Sequence, residues 1–385
     1  MTGVASLIPD PHFCDNSPVL RGVGGFMSKR IGIVTGGGDC PGLNAVIRAV
    51  AKAATRRGWE AVGIVGGFDG LIEPCQTLAL DTSALAGLLI RGGTILGTAN
   101  RGRFSAKCGF GAERAIAPAL LDATRAGMAA LGLEALVVIG GDGSLSMALQ
   151  MHRHGIPVVG VPKTIDNDVN GTVLTFGFVS AVDCVTMAID RLHTTAESHG
   201  RVMVVEVMGR LAGWIALYGG IAGGADVILI PEIPFSYDRV VESIRAREAA
   251  GKHFTMVVVA EGARTRDGGY VTAADQPENR EARLGGVGAV VAAELEKRTG
   301  KEARACVLGH LQRGGSPSAI DRMLCSMFGT EAIELVAAGQ FGHMVAFFGN
   351  HVGAVTLQQA VEHLKTVPPD GELARTARAL GICLG

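Results

Sequence analysis

The feature that most constrains the fold is a repeated alternation between short apolar runs, rich in β-branched residues, and stretches with helical periodicity. The runs that predict buried strands are IGIVT at 31, ALVVIGG at 135, PVVGV at 157, VMVVEVMG at 202, VILIP at 227, TMVVVAEG at 255 and ACVLGH at 305. Leu43, Val46, Ile47, Val50 and Ala54 have the spacing of one helix face. Repeated units of strand and helix predict an α/β fold of doubly wound, Rossmann-like domains with mostly parallel sheets.

Length and composition exclude several classes of protein. With 385 residues, 48% of them hydrophobic and 18% charged, the chain can bury a large core, and we expect two domains. A net charge of -1 offers no basic field for nucleic acid. No apolar run reaches the roughly 18 residues of a membrane helix, so no membrane partner is expected. Eight cysteines without a CxxC pair predict reduced thiols and a cytoplasmic location.

Residues 1–26 contain prolines and glycines without periodicity, and they lack the basic start and apolar centre of a secretory signal. We expect a loose extension there, either a disordered tail or the result of a misassigned start. The sequence from Met27, MSKRIGIVTGG, is typical of a domain start.

Ligands of doubly wound sheets bind beyond the carboxyl ends of the strands, so the residues after each predicted strand are candidates for chemistry. GGGDCPGLNAVIR follows the first strand, and its glycines would let a phosphate approach the backbone at Gly37 and Gly38. A tight strand-to-helix turn explains the glycines equally well. Neither G-x-G-x-x-G nor G-x-x-x-x-G-K-[ST] is present, so the dinucleotide and Walker motifs are not supported.

The second candidate is GGDGS, which follows ALVVI and places Asp142 between Gly141 and Gly143, with Ser144 next. A carboxylate at the start of a helix can hold Mg²⁺ while the neighbouring amides contact phosphate oxygens. The alternative is an aspartate that only caps the helix. Glycines on both sides favour binding of a nucleotide or diphosphate.

The third candidate is PKTIDND, which brings Lys163, Thr164, Asp166 and Asp168 to the end of an apolar strand. Burial of unpaired charges is costly, so this cluster needs a partner, and a metal with phosphates accepts charges of both signs. A purely structural cluster of ion pairs is the alternative.

The fourth candidate is LGHLQRGGSPSAIDR, with His310 and Arg313 beside a glycine turn. Such residues can hold a phosphorylated small molecule, since arginine binds phosphate through two parallel hydrogen bonds. A surface salt-bridge loop is the alternative.

Taken together, these segments and VEVMGRLAGW occur in the order found in the phosphofructokinase family, which the chain resembles from about Met27 to its end. Members of that family phosphorylate fructose 6-phosphate at its 1-hydroxyl. The resemblance implies a donor domain of residues 27–177 plus 312–350 and a sugar-phosphate domain of residues 178–311 plus 351–385. It also implies Mg²⁺ as the cofactor.

The resemblance further implies roles for individual residues. Asp166 would accept the proton of the sugar hydroxyl, Thr164 would hydrogen-bond the transferred phosphoryl group, and Arg210 would stabilise its charge. Asp168 would assist near the hydroxyl or the metal, and Asp142 would hold Mg²⁺. The implied donor site comprises Gly37, Gly38, Asn100, Arg101, Gly141, Asp142, Gly143, Ser144 and Lys163.

The implied sugar-phosphate site comprises Arg201, Met208, Gly209, Arg210, Glu261, Arg304, His310 and Arg313. In the family, the arginines corresponding to Arg201 and Arg304 come from a neighbouring subunit. The resemblance therefore implies a homo-oligomer, a dimer or a tetramer, with an incomplete site in each monomer.

Two positions disagree about the phosphoryl donor. Gly143 leaves room for the α-phosphate of ATP, whereas Lys163 is usual in family members that use diphosphate. We expect ATP, because open space is a requirement for ATP and an added ammonium can pair with the phosphates of either donor. Asn100 stands where the best-known ATP-using pattern has an arginine, and Arg101 and Arg103 are candidate substitutes from the same loop.

The motifs leave the sugar substrate open. A kinase of a different sugar phosphate, such as a heptulose phosphate, would use the same phosphate contacts. An inactive sugar-phosphate sensor is disfavoured because Asp166 is present.

Two segments have no assigned role. Arg48 and Lys52 lie one helical turn apart, where they would bind an effector phosphate or form a solvated face. Residues 262–286 form an insertion with the Gly, Asp and Pro content of a surface loop.

Overall fold

The structure, a computed structural model, describes residues 29–81, 83–98, 102–104, 107–108, 112–113, 115–266, 268 and 284–385. Its strands are β1 (Arg30–Thr35), β2 (Glu60–Ile64), β3 (Thr77–Ala79), β4 (Lys107–Cys108), β5 (Ala112–Glu113), β6 (Ala135–Gly140), β7 (Val158–Thr164), β8 (Phe176–Gly177), β9 (Val202–Val207), β10 (Val227–Leu229), β11 (Thr255–Ala260), β12 (Ala303–Val307), β13 (His343–Phe347) and β14 (Val352–Thr356). The predicted extension 1–26, Asn100, Arg101 and most of the insertion 262–286 lie outside the described residues.

The helices are α1 (Leu43–Arg56), α2 (Pro118–Ala130), α3 (Asp142–Arg153), α4 (Phe178–His199), α5 (Trp214–Ala222), α6 (Tyr237–Ala249), α7 (Val287–Thr299), α8 (Ala319–Ala337), α9 (Leu357–Val361) and α10 (Glu372–Ala379). Short 3₁₀ helices lie at Gly67–Leu71, Leu88–Ile90 and Gly309–Arg313. Within the described residues, no helix is both long and apolar enough to cross a bilayer.

The larger sheet has eight strands in the order β14-β13-β7-β6-β1-β2-β3, with β8 paired to β7. Its central pairs are parallel, and only the edge pairs β2–β3 and β13–β14 are antiparallel. In this sheet β2 lies on one side of β1 and β6 lies on the other, so the connections that follow β1 run in opposite directions. A crevice therefore opens between the carboxyl ends of β1 and β6, which is where such sheets bind ligands.

The smaller sheet has four parallel strands in the order β10-β11-β9-β12. β11 and β12 flank β9, so the segments after these three strands share one edge. All seven predicted strands are present, and the predicted α/β class with mostly parallel sheets is confirmed.

Burial explains why the local pattern predicted these elements. Every residue of β6, β7, β9 and β11 is buried, because helices cover both faces of a parallel sheet. In α1, the predicted face of Leu43, Val46, Ile47, Val50 and Ala54 is fully buried. Helix α1 packs on the sheet beside α8, which follows it by more than 250 residues in the sequence.

The pairing of the last strands bears on where the chain makes its last crossing between the two sheets. β14 pairs with β13 in the larger sheet, and α9 packs against α3 of the same layer. After α9, Cys383 bridges to Val227 of the smaller sheet. We propose that the crossing lies after Val361 rather than near residue 350.

Candidate functional site

Three segments meet at the crevice of the larger sheet. The N–H of Gly36, just after β1, donates to the carbonyl of Ile139 at the end of β6. A Cβ added to Gly36 would collide with the hydroxyl of Ser144, so glycine is required for this close approach. Gly37 has a φ of +76°, and a Cβ added to it would lie 3.5 Å from Nζ of Lys163. The carbonyl of Gly38 accepts a hydrogen bond from the same ammonium. The predicted donor segments therefore lie together.

Asp142 begins α3, and Gly143 and Ser144 follow within the first helical turn. The first amides of a helix have no acceptor within the helix, and together with the helix dipole they favour an anion. Nη1 of Arg210 lies 3.8 Å from Oδ1 of Asp142, which joins the end of the smaller sheet to the donor segments. The side chain of Asp142 is 24% exposed, so it remains accessible to a ligand.

Lys163 is the penultimate residue of β7 and only 3% exposed. Its ammonium donates to the carbonyl of Gly38 in the loop after β1. Burial lowers the pKa of Lys163, while the charges of Asp166 and Asp142 counteract that effect. The ammonium lies within the donor segments, where phosphate oxygens would be natural partners for it.

Asp166 lies just beyond the end of β7 and is 3% exposed. Its backbone N–H donates to Oγ1 of Thr164 at 3.0 Å, but its carboxylate oxygen Oδ1 has no hydrogen-bond partner among the described residues. Burial raises the pKa of Asp166, and Arg313 and Arg210 oppose the rise. A buried carboxylate with an unfilled acceptor is suited to receive a proton or a hydroxyl.

Asp168 is also buried, two residues further along the same loop. Asn167 lies between the two aspartates with a φ of 53°, the left-handed region that asparagine tolerates better than most residues. This turn separates the two carboxylates.

The sugar-side residues gather at the carboxyl edge of the smaller sheet. Arg210 has a φ of 52°, and its N–H donates to Oε1 of Glu261 at 3.0 Å. Burial raises the pKa of Glu261, and the backbone N–H groups of Arg210 and Gly209 partly offset this rise. Met208 precedes this turn, and its N–H contacts the side chain of Gln312 at 3.4 Å.

His310 and Arg313 lie on the 3₁₀ helix Gly309–Arg313. Nη1 of Arg313 donates to the carbonyl of Asp39 at 3.0 Å, so this arginine lies against the donor loop after β1. His310 is exposed, on the same turn. The 3₁₀ helix therefore bridges the two groups of segments.

Arg201 and Arg304 lie elsewhere. Arg201 precedes β9 and forms an ion pair of 2.5 Å with Glu302, which also pairs with Arg304. Hydrogen bonding to Arg201 lowers the pKa of Glu302. Arg201 lies before the amino end of β9, whereas Met208 follows the carboxyl end of β9 and Glu261 follows the carboxyl end of β11. Six residues of strand span about 20 Å. Within one chain, Arg201 and Arg304 do not meet the other predicted sugar-side residues.

Some residues at the site were not predicted. Gln312 is 1% exposed and donates to the carbonyl of Gly309. Glu206 is buried within β9, and its carboxylate accepts from the N–H groups of Gly286 and Gly288 at the start of α7. Its position inside VMVVEVMG, an otherwise apolar strand, is the sequence signal that could have identified it.

No group of three or more His, Cys, Asp or Glu side chains among the described residues could hold a metal alone. Mg²⁺ usually takes one or two carboxylates together with substrate phosphates and water. Asp142, partly exposed beside the anion-favouring start of α3, fits that arrangement.

Comparison with known proteins gives one consistent result. The family described as "Phosphofructokinase" matches residues 30–336. The ATP-dependent 6-phosphofructokinase of Chloroflexus aurantiacus (strain ATCC 29366 / DSM 635 / J-10-fl) is 52% identical over 357 residues, covering 93% of this chain and 98% of its own. The pyrophosphate–fructose 6-phosphate 1-phosphotransferase of Amycolatopsis methanolica is 50% identical over 344 residues, covering 89% and 97%. The crystal structure of a pyrophosphate-dependent phosphofructokinase from Nitrosospira multiformis has the same fold, with a TM-score of 0.77, 22% identity and 92% coverage of each chain.

Proposed function

This chain belongs to the phosphofructokinase family, and from that premise we propose that it transfers the γ-phosphoryl group of ATP to the 1-hydroxyl of fructose 6-phosphate. The product is fructose 1,6-bisphosphate, formed by a phosphotransferase with an alcohol acceptor. The observation that carries the proposal is the carboxylate of Asp166, which is buried and has an oxygen without a hydrogen-bond donor among the described residues. The charges of Arg313, Arg210 and Glu261, all from the sugar side, act on its pKa.

Asp166 would take the proton of the attacking hydroxyl. Because burial raises its pKa, this carboxylate holds a proton more firmly than an exposed aspartate does, which suits a general base. Arg210 and Arg313 lower the same pKa and so keep the ionised form available before transfer. The hydrogen bond from the Asp166 N–H to Thr164 fixes the start of the loop.

Arg210 would stabilise the charge on the transferred group. Its position beside Asp142 and its backbone contact with Glu261 link the donor and sugar sides through one residue. Asp142 would hold Mg²⁺, which neutralises phosphate charge when bound. Lys163 would pair with the donor phosphates, since its ammonium already lies at the loop after β1.

The sugar phosphate would bind His310 and Arg313 of one chain together with Arg201 and Arg304 of a second copy. This assignment is supported by the distance between the two pairs along the smaller sheet and by the positive charge that a dianion requires. The active form would then be a homo-oligomer, a dimer or a tetramer, as the incomplete set of residues in one chain indicates. The free thiols of Cys40 and Cys325 are compatible with a reducing cytoplasm.

The same assignment predicts complementation between inactive subunits. Mixed dimers of Asp166→Asn and Arg304→Ala chains contain one fully intact site, because the aspartate and the arginine come from different copies. With random assembly, such mixtures should recover about one quarter of wild-type activity. A mixture as inactive as its components would place Arg304 outside the neighbour's site.

Diphosphate is the second candidate donor. It is favoured by the 50% identity to a pyrophosphate-using relative and by Lys163 beside the loop after β1. ATP is favoured by Gly143 in the first turn of α3 and by the 52% identity to an ATP-dependent relative.

The test measures formation of fructose 1,6-bisphosphate from fructose 6-phosphate and Mg²⁺ with ATP or diphosphate as the sole donor. We expect turnover with ATP, and we expect Asp166→Asn to abolish it while leaving the fold intact. Asp370→Asn is the matched control, since that side chain is 99% exposed. Turnover with diphosphate alone would reverse the choice of donor. No turnover with either would point to another sugar phosphate.

A further inference from the structure

Lys365 holds the loop that carries Asp166 and Asp168, although it follows that loop by almost 200 residues in the sequence. Its ammonium donates to Oδ1 of Asn167 at 2.9 Å and to the carbonyls of Thr172 at 2.8 Å and Val173 at 3.0 Å. An ammonium has three hydrogens, so these three acceptors use its full capacity.

The backbone of Lys365 adds two further contacts. Its N–H donates to the carbonyl of Asp168 at 2.8 Å, and its carbonyl accepts from the indole N–H of Trp214 at 2.8 Å. Trp214 begins α5, four residues after Arg210. Two residues beyond Lys365, the N–H of Val367 donates to Glu232, which also accepts from the N–H of Gly213. The segment 365–367 therefore contacts both sides of the site.

Asn167 is the residue in this loop whose side chain accepts a hydrogen bond from Lys365. Its left-handed φ of 53° turns the chain between the two aspartates, and a backbone of this kind persists only when its surroundings hold it. Oδ1 of Asn167 accepts from Lys365 and from the N–H of Thr175 at 3.1 Å, and Nδ2 donates to the carbonyl of Val173 at 3.3 Å. Loss of the ammonium would leave the carbonyl of Thr172, a buried residue, without its donor, whereas Oδ1 of Asn167 would keep only Thr175 and the carbonyl of Val173 only Asn167.

We propose that Lys365 is a positioning residue for phosphoryl transfer: it fixes the loop 166–173 so that Asp166 faces the reacting hydroxyl. The proposal rests on the proposed function for the reaction, but the contacts themselves do not depend on it. Lys365 lies outside the segments that the family resemblance assigned to the site. Burial lowers the pKa of Lys365 to about 8, and the charge of Asp168 opposes this, so the ammonium is mostly charged at neutral pH.

The experiment compares wild type with Lys365→Met, which keeps the length of the side chain and removes its donors. Lys365→Arg is the conservative rescue. Lys297→Met is the matched control, because that side chain is 79% exposed on α7. Turnover, KM for fructose 6-phosphate and for the donor, thermal unfolding and amide hydrogen exchange without substrates are measured for each protein.

For Lys365→Met we expect kcat to fall about 10- to 100-fold, because small displacements of a base have effects of that size. Both KM values should change much less than kcat, since the substrate contacts lie elsewhere. Amide exchange should accelerate in residues 166–175 and not in β1 or β6. Lys365→Arg should regain part of the lost kcat, and Lys297→Met should match wild type.

Three results would overturn the proposal: an unchanged kcat, a lower kcat with unchanged exchange in the loop, or faster exchange throughout the chain. If Lys365→Met does not fold, Lys365→Gln, which retains an amide donor, takes its place with the same expectations. If wild type turns over no sugar phosphate, the proposed function fails. The exchange comparison would still decide whether Lys365 positions the loop.

Discussion

Asp321 offers the most direct test of how the two sheets are joined. It is 0% exposed, in the first turn of α8, and its carboxylate accepts from the N–H of Gly177 at 3.0 Å and from both the N–H and the hydroxyl of Ser180 at 2.8 and 2.6 Å. These donors lie at the start of α4, the helix by which the chain enters the smaller sheet. We predict that Asp321→Asn destabilises the protein while leaving its shape unchanged.

The magnitude follows from the contacts. An asparagine can accept through one oxygen only, so the N–H of Ser180 would face an NH₂ group and remain unsatisfied, at a cost of roughly 1–3 kcal/mol. Loss of the negative charge at the start of α4 removes about 0.3–1 kcal/mol more. Burial raises the pKa of Asp321, so removal of the charge also relieves some desolvation. The expected net loss is about 1–3 kcal/mol in the free energy of unfolding.

Thermal unfolding followed by circular dichroism measures this effect. At about 2 °C per kcal/mol for a large chain, Tm should fall by about 2–6 °C. Ser180→Ala, which removes the hydroxyl alone, should cost about 1–2 kcal/mol and give a smaller shift. Asp370→Asn, at an exposed position, should give none. A wild-type Tm for Asp321→Asn, or a larger loss for Ser180→Ala, would refute this account of the junction.

Three further predictions concern the site and its scaffold. Because burial raises the pKa of Asp166, its carboxylate protonates as pH falls through a value above the ordinary 3.8, so kcat should decline there; an acid limb near 3.8 in the pH profile would contradict this. Gly38→Ala places a Cβ 2.8 Å from Nη1 of Arg313, so steady-state assays should show lower turnover in a folded protein, whereas wild-type kinetics would show that this contact is unimportant. Gly127→Ala would overlap the carbonyl of Leu71 and should cost about 1–3 kcal/mol in urea unfolding; an unchanged midpoint would mean that α2 can shift freely.

The sequence predicted the parts of the fold that depend on neighbours along the chain. Apolar runs identified the central strands because both faces of a parallel sheet are covered, and periodicity identified the buried face of α1. Strands β2 and β13 and the short edge strands β3 and β14 were not among the predicted strands. All residues of β3 are exposed and those of β14 are half-buried, so neither has the continuous apolar pattern of a central strand.

Part of the candidate site was also predictable from the sequence, and part was not. The segments containing Gly37, Asp142 and Asp166 were predictable because each follows directly after a buried strand, and parallel strands bring their carboxyl ends to one edge. The sequence also identified Lys163 as a charged residue at a strand end. It did not predict that Lys163 contacts the loop after β1.

What the sequence by itself determined was therefore the class of fold, the strand ends that carry chemistry and the resemblance to a kinase family. Only the tertiary structure decided which distant residues meet. It placed Arg313 against the loop after β1, Arg201 at the far edge of the smaller sheet, and Lys365 on the loop of Asp166. The physical reason is that periodicity records burial within one element, whereas these contacts join residues 100 to 300 positions apart. Their geometry depends on how the two sheets pack.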